Sequence, residues 1–440
     1  MKINDGQPIT PIYRQSAINE PIKLGDFPVS FSNWPIDKAP GGIAKVSLTL
    51  LPSPVVSLEI EVEGLDFFNF ININDSNTLE VSFSGQQATH SVFSTTRNGN
   101  SALFVPSTQP IQIMDPSSHI RDVVFHLFNW PYFWAREHLV VEDELELHAG
   151  PWRIRISQTE HTKNLVDTLK RTGGYALTHV GSITRLDGEV FSTADTSEIL
   201  EGLGYYLTFA MGRRTNLRLA VGHDGLGNVA YAELGLGSDE PGAWNRGCSW
   251  FDDRESCLLE DVIGGFWSLR EREIWKKPIE DVIYWYSQAN LAASSLGVDS
   301  ALILTQTALE LLAWNYCVRD RKMVSAKAFE PRGLNAADKL RLLTSSLGIP
   351  LEIPTHLKSL HSKPGKKWVD SMDAITDLRN GLVHPREGQN GLEEMHHDAW
   401  RLSMWYLDLI LLRLCGHNGK YANRIAEPDG PSVEIVPWMN

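Results

Sequence analysis

Residues 366–384, KKWVDSMDAITDLRNGLVH, read as a helix that Pro385 brings to an end, because proline disfavours the helical conformation at the position before it. Four further segments share this periodicity: PIEDVIYWYSQANLAASSLG at 278–297, SALILTQTALELLAWNYCVRD at 300–320, AADKLRLLTSSLG at 336–348 and GLEEMHHDAWRLSMWYLDLILLRLCG at 391–416. Pro278 suits a first helical turn, and Glu280 and Asp281 suit the positive end of the helix dipole. Five helices of this length predict an all-α bundle.

Ahead of about residue 271 the rhythm differs. From about 22 to 157, short runs such as KVSLTLL (45–51), SLEIEVEG (57–64), FFNFININD (67–75), TLEVSFSG (78–85), SALFVP (101–106) and LHAGPWRIRIS (147–157) read as strands divided by Pro, Gly and Asn turns. They predict an antiparallel sandwich-like or barrel-like region. A mixed block follows: a glycine-closed helix at 164–174, a hairpin over 175–191 turning at Asp187-Gly188, a helix at 196–212 capped by Thr196 or Ser197, and strands at 217–234. The expected fold class is multidomain α+β. The expected division is a β-rich sensing or binding domain at 1–158, an α+β connector at 159–270, a helical domain at 271–417 and a tail at 418–440 with one strand near SVEIVPW.

With 42% hydrophobic and 21% charged residues the chain can bury cores and is not disordered. A net charge of -14 argues against indiscriminate coating of nucleic acid. Positive charge nevertheless concentrates between 318 and 386, with 13 Lys/Arg against 7 Asp/Glu. The amino terminus has no apolar signal region, and the longest apolar run, 406–415, is broken by Asp408 and Arg413, so neither secretion nor membrane insertion is expected and the cytoplasm is. The four cysteines form no Cys-x-x-Cys pair, and no cluster has convincing metal-ligand spacing; neither metal nor cofactor is expected.

Arg379-Asn380-Gly381-Leu382-Val383-His384 closes the quoted helix. On a helical wheel Asp377, Asn380 and His384 share a face, whereas Arg379 lies about 140° from His384 and must reach it, or a partner subunit, through its long side chain. Histidine moves protons near neutral pH, and arginine neutralises phosphate oxygens with a fork of donors. Together they suit attack of an RNA 2′-hydroxyl on its adjacent phosphate. The spacing alone is weak, since Arg121 to His126 and Arg155 to His161 are similar, but the first pair falls in strand-like text and Arg155 starts a strand end that runs into a loop. An Arg and a His at a helix end can also simply cap carbonyls.

RNGLVHP resembles the Arg-x4-6-His signature of HEPN domains, and ALILTQTALELLAW (301–314) is similar to the HEPN helix that carries an acidic residue, here Glu310; the likeness spans roughly 275–417. The resemblance implies a metal-independent endoribonuclease in which Arg379 and His384 are catalytic, Asn380 supports them, and Glu310 is a weaker neighbour. It also implies a homodimer whose paired helices form one RNA-cleaving groove, with tRNA and mRNA both open as substrate. Asp377 joins the supporting residues by its place on the wheel. Segments 173–192 and 204–214 are similar to those preceding HEPN domains in ApeA-type proteins of abortive infection, which implies an anti-phage effector with a phage-derived trigger. The alternative is a non-catalytic HEPN scaffold whose β domain binds a protein, glycan or nucleotide.

Other features read more plainly. His396-His397 beside Glu393 and Glu394 reads as a solvated helix face, GHDGLG (222–227) as a hairpin turn, NWPYFW (129–134) as packing aromatics, and His179 as a core histidine; Ser182 lacks a nucleophile elbow.

Overall fold

The computed structural model describes residues 9–34, 41–61, 79–83, 89–98, 101–108, 110–114, 118–132, 140–141, 144–215, 217–236, 244, 248–330, 332–361, 367–384, 393–427 and 432–439. The strand expected at 67–75 lies outside them. The chain divides into two compact units: residues 1–146, 151–203 and 215–244 form the first, and 147–150, 204–214 and 245–440 the second.

In the first unit, β1 (Ile22–Phe31), β2 (Gly41–Thr49), β3 (Val55–Glu61), β4 (Leu79–Phe83), β5 (Thr89–Asn98) and β6 (Ser101–Pro106) close into an antiparallel barrel in the order β1-β2-β3-β6-β5-β4. Alternation fixes the inward face: Ala44, Val46 and Leu48 of β2 and Leu79, Val81 and Phe83 of β4 are buried. Closure through the β1–β4 pairing leaves no open edge. An eight-stranded sheet holds β7 (Ile111–Met114), β8 (Asp122–Phe128), β9 (Val140–Val141), β10 (Glu144–Ala149), β11 (Trp152–Gln158), β12 (Leu177–Arg185), β13 (Leu217–His223) and β14 (Val229–Leu234), ordered β7-β14-β13-β8-β12-β11-β10-β9. Every residue of β8 is buried, the mark of a strand covered on both faces. One apolar core runs from the barrel (Val46, Leu58, Phe104) into this sheet (Phe128, Leu177, Leu219).

This sheet crosses the boundary expected at 158, since β11 pairs with β12. Nor is 175–191 a hairpin. The turn at Asp187 and Gly188 forms, but β12 already has β11 and β8 as neighbours, so the returning chain makes only the bridge Phe191–Ile120. The helices α1 (Thr162–Thr172) and α2 (Thr193–Met211) are as expected. The cap of α2 is Ser192, whose Oγ accepts from the Asp195 amide while Asp195 Oδ2 accepts from the Ser192 amide, a reciprocal box upstream of the expected Thr196 or Ser197. Residues 222–227 do form a hairpin turn, with Asp224 Oδ1 accepting from the Leu226 and Asn228 amides.

The second unit is helical: α3 (Cys257–Arg270), α4 (Glu273–Ser295), α5 (Val298–Ala313), α6 (Ala336–Ser346), the short α7 (Lys358–His361), α8 (Ser371–Val383) and α9 (Glu393–Leu414). Thus α3, expected in the connector, joins the helical unit. Gly265 lets α3 close on the end of α9, since a Cβ there would lie 1.8 Å from the Cys415 carbonyl oxygen. Helix α4 starts five residues before Pro278. Proline cannot donate to the carbonyl one turn back, that of Ile274, and the Asn315 Nδ2 donates to it instead at 3.1 Å. The segment read as a tail is packed too: β15 (Lys420–Ala422) pairs with β16 (Val433–Ile435), the Tyr421 hydroxyl accepts from Trp405 Nε1, and Arg424 reaches the buried Asp408 at 2.6 Å.

Among the described residues no helix is long and apolar enough to cross a membrane. All four cysteines are free thiols, with Cys317 and Cys415 buried.

Candidate active site

Helix α8 is pinned at its start. Asp370 is the cap, its side chain accepting from the Asp373 amide at 3.0 Å and from Arg341 Nε of α6 at 2.6 Å. Burial opposes ionisation of Asp370, yet the Arg341 guanidinium and the amide hold its carboxyl below the usual range. Ile375 and Leu378 are buried, and α8 packs against α5, α6 and α9. What this anchored helix presents at its far end is the RNGLVH turn.

That turn has one joint. Asn380 Oδ1 accepts from Arg379 Nη1 at 3.2 Å, and the Asn380 carbonyl accepts from the His384 amide at 2.8 Å. A single residue therefore ties the arginine and the histidine through its side chain and its backbone. Arg379 is half-buried, and its Nε is shut off from solvent without a hydrogen-bond partner among the described residues. His384 is exposed, and its ring makes no hydrogen bond among those residues.

The structure corrects the wheel at one position. His384 is the residue after the helix, with φ −125° and ψ 77°, so the angle it would have on an ideal helix no longer describes it. Asp377 and Asn380 remain on the helix, but Asp377 accepts from Trp368 Nε1 at 3.1 Å and so fastens the chain entering α8. Glu310, on α5, accepts from Gln306 Nε2 at 2.7 Å and makes no hydrogen bond to Arg379, Asn380 or His384. The structure thus joins Arg379, Asn380 and His384 in one turn and leaves Glu310 and Asp377 in other networks.

Three residues not singled out in the sequence, Gln306, Thr376 and Trp400, stand out beside Arg379. Gln306 Oε1 on α5, Thr376 Oγ1 and Arg379 Nε on α8, and Trp400 Nε1 on α9 are buried with no partner among the described residues. Each such atom costs about 1–3 kcal/mol, and His90 Nε2, Trp250 Nε1 and His356 Nε2 share the condition elsewhere among the described residues. No sequence signal could have found them, because satisfaction depends on where neighbouring helices fall.

The remaining candidates sort quickly. His396 is not solvated: it is half-buried and its Nδ1 lies 2.8 Å from Asp299 of α5, while His397 is exposed. His179 is fully buried, and burial pushes it down to about 3. Asn129 and Trp130 are buried, whereas Phe133 and Trp134 lie outside the described residues. Ser182 is buried in β12 opposite Arg155. Among the described residues no group of three His, Cys, Asp or Glu could hold a metal ion.

Two segments match known domains. Residues 115–235 match the YopA central domain, and residues 272–434 match the YopA C-terminal domain. The chain is also 27% identical, over 436 residues covering 96% of each chain, to the SPbeta prophage-derived uncharacterized protein YopA of Bacillus subtilis (strain 168). No solved structure matches it. Over nearly its whole length this chain is therefore similar to YopA, with β8 to β14 of the eight-stranded sheet in the central-domain match and α4 to β15 in the C-terminal one.

Proposed function

We propose that the helical unit is a HEPN-type, metal-independent endoribonuclease with Arg379 and His384 as catalytic residues. The observation that carries the reading is the Asn380 joint, which holds a guanidinium and an exposed imidazole on one turn. In the proposed reaction the imidazole accepts the proton of a ribose 2′-hydroxyl; the 2′-oxygen forms a bond to the adjacent phosphorus as the P–O5′ bond breaks, leaving a 2′,3′-cyclic phosphate. A protonated imidazole supplies the proton for the leaving 5′-oxygen. Arg379 neutralises the charge on the non-bridging oxygens. Two chains would pair so that both sets face one phosphodiester. The prophage origin in the relative's name agrees with a cytoplasmic effector acting against phage under a phage-derived trigger.

The net charge of -14 favours the other reading, a non-catalytic scaffold, and one experiment divides them. Purified protein is incubated with total RNA in excess chelator, and Arg379→Ala and His384→Ala each slow cleavage by roughly 10²–10⁴. Relief of growth arrest on expression by either substitution is the matching result in cells. Equal RNA decay by wild type and both variants leaves the scaffold reading.

A further inference from the structure

We propose that the exposed basic strip at 319–332 is a docking surface for the sugar–phosphate backbone of single-stranded RNA. The choice of RNA as the polyanion rests on the ribonuclease reading; the strip itself stands on separate observations.

Arg319, Arg321, Lys322, Lys327 and Arg332 are all exposed along this strip. Several surface cations elsewhere are neutralised by carboxylates, as in Lys23–Asp26 at 2.9 Å, Lys277–Asp281 at 2.7 Å and Arg254–Asp252 at 2.9 Å. Among the described residues the five cations of the strip form no ion pair. One carboxylate beside them, Asp320, is bonded elsewhere, pairing with Arg272 of the segment before α4 and accepting from Trp275 Nε1 at 2.9 Å, and offsets Arg321 only through space. Glu330 is the other, and it is exposed. A local excess of positive charge in a chain of net charge -14 raises the local concentration of anions such as phosphates.

The strip is also held in shape. At the end of α5 the helix widens into a π turn, Trp314–Asp320, and the chain returns with the Arg321 amide on the Tyr316 carbonyl at 2.9 Å and the Met323 amide on that of Cys317 at 2.7 Å. Asn315 holds Arg319 by accepting from its Nη1 at 3.1 Å, and the Arg321 guanidinium lies 5.6 Å from the centre of the Tyr316 ring. Phe329 of the 3₁₀ turn Ala326–Phe329 packs edge-on against Trp314, and Lys339 donates to its carbonyl at 2.8 Å. Gly333 permits the close return, since a Cβ there would come 2.2 Å from the Ala328 carbonyl oxygen. Two guanidiniums oriented by buried residues lose less entropy on gripping phosphate than free lysines do. Among the described residues of the strip Met323 is the one large apolar side chain exposed, too little for insertion into a lipid interface.

The test uses the full chain carrying His384→Ala, so that binding is read without cleavage, and a fluorescent single-stranded RNA whose anisotropy is followed from 50 to 300 mM KCl. The fourfold variant Arg321→Gln, Lys322→Gln, Lys327→Gln, Arg332→Gln is expected to lower the slope of log affinity against log salt by about 2–3, at ~0.7 per phosphate contact. Its thermal unfolding should match the parent, because all four side chains are exposed. A control with Lys23, Lys45, Lys170 and Arg171 changed to Gln keeps the parent slope. Unchanged binding by the strip variant, binding lost equally in the control, or preference of the strip for vesicles containing phosphatidylserine over RNA would each overturn the proposal. Cleavage that survives Arg379→Ala, with binding still dependent on the strip, would sink the nuclease reading alone.

Discussion

The two units differ in the titratable groups they bury most deeply, although the first also holds a largely buried ion pair, Arg155–Glu144. At the centre of the first unit's sheet sit neutral histidines: His126 accepts from the Tyr13 amide at 3.2 Å through Nε2 and offers Nδ1 to the Leu219 carbonyl, and burial pushes it down to about 4. The second unit buries charges in pairs. Asp408 accepts from Arg424 Nε and from the Tyr286 hydroxyl, both at 2.6 Å, and Arg424 also donates to the Cys248 carbonyl at 2.8 Å; Arg270 meets Glu280 at 2.9 Å. A neutral buried imidazole is vulnerable to acid, whereas a buried ion pair is vulnerable to losing one member. The difference teaches that the sheet's buried imidazoles need protons kept out, while the bundle's most deeply buried charges depend on each partner being in place.

The largest effect expected from this contrast is at Arg424. Arg424→Met strands the Asp408 carboxylate without its cation, and urea unfolding should register a loss of about 3–5 kcal/mol. Adding Asp408→Leu to that variant should recover most of it, since an apolar pair avoids the desolvation cost. If the single substitution were neutral, the ion pair would not be what fastens the C-terminal segment to α9.

Next comes acid sensitivity of the first unit. The unfolded imidazole of His126 titrates near 6.5 and the folded one near 4, so the unfolded state binds the extra proton between those values. Stability is complete above about 6.5, declines as pH falls, and has lost on the order of 3 kcal/mol once pH passes 4. His126→Gln should make that limb of a plot of unfolding free energy against pH shallower, leaving the share that buried His179 contributes. A variant as acid-sensitive as the parent would place the titration elsewhere.

The smallest effect is at the start of α8. Asp370→Ala removes the cap and the Arg341 partner, and about 2 kcal/mol of stability should go with them. Hydrogen exchange is the sharper readout, because amides of 371–376 should lose protection while those of the barrel do not.

Much of this was legible beforehand because periodicity is local. Alternation in β2 and β4 and the helical repeat of 300–320 survive in the fold, and Pro385 marks the end of α8 one residue past His384. Other expectations failed where neighbours decided. The hairpin at 175–191 needed a free edge beside β12, and the sheet had filled both. The solvated reading of His396 could not foresee Asp299 across the bundle. At the candidate site the sequence supplied Arg379, Asn380 and His384 but grouped Asp377 and Glu310 with them, and their partners turned out to be Trp368 and Gln306.

The sequence by itself determined where chain conformation switches from strand to helix, and it placed an arginine, an asparagine and a histidine within six residues of a proline stop. Those features depend on residues a few positions apart. Only tertiary structure decided that six strands close into a barrel, that the last segment packs through Arg424, and that polar atoms of α5, α8 and α9 are buried without partners among the described residues. Closure, burial and hydrogen-bond satisfaction depend on groups far apart in the chain, and no short-range pattern encodes which of them will meet.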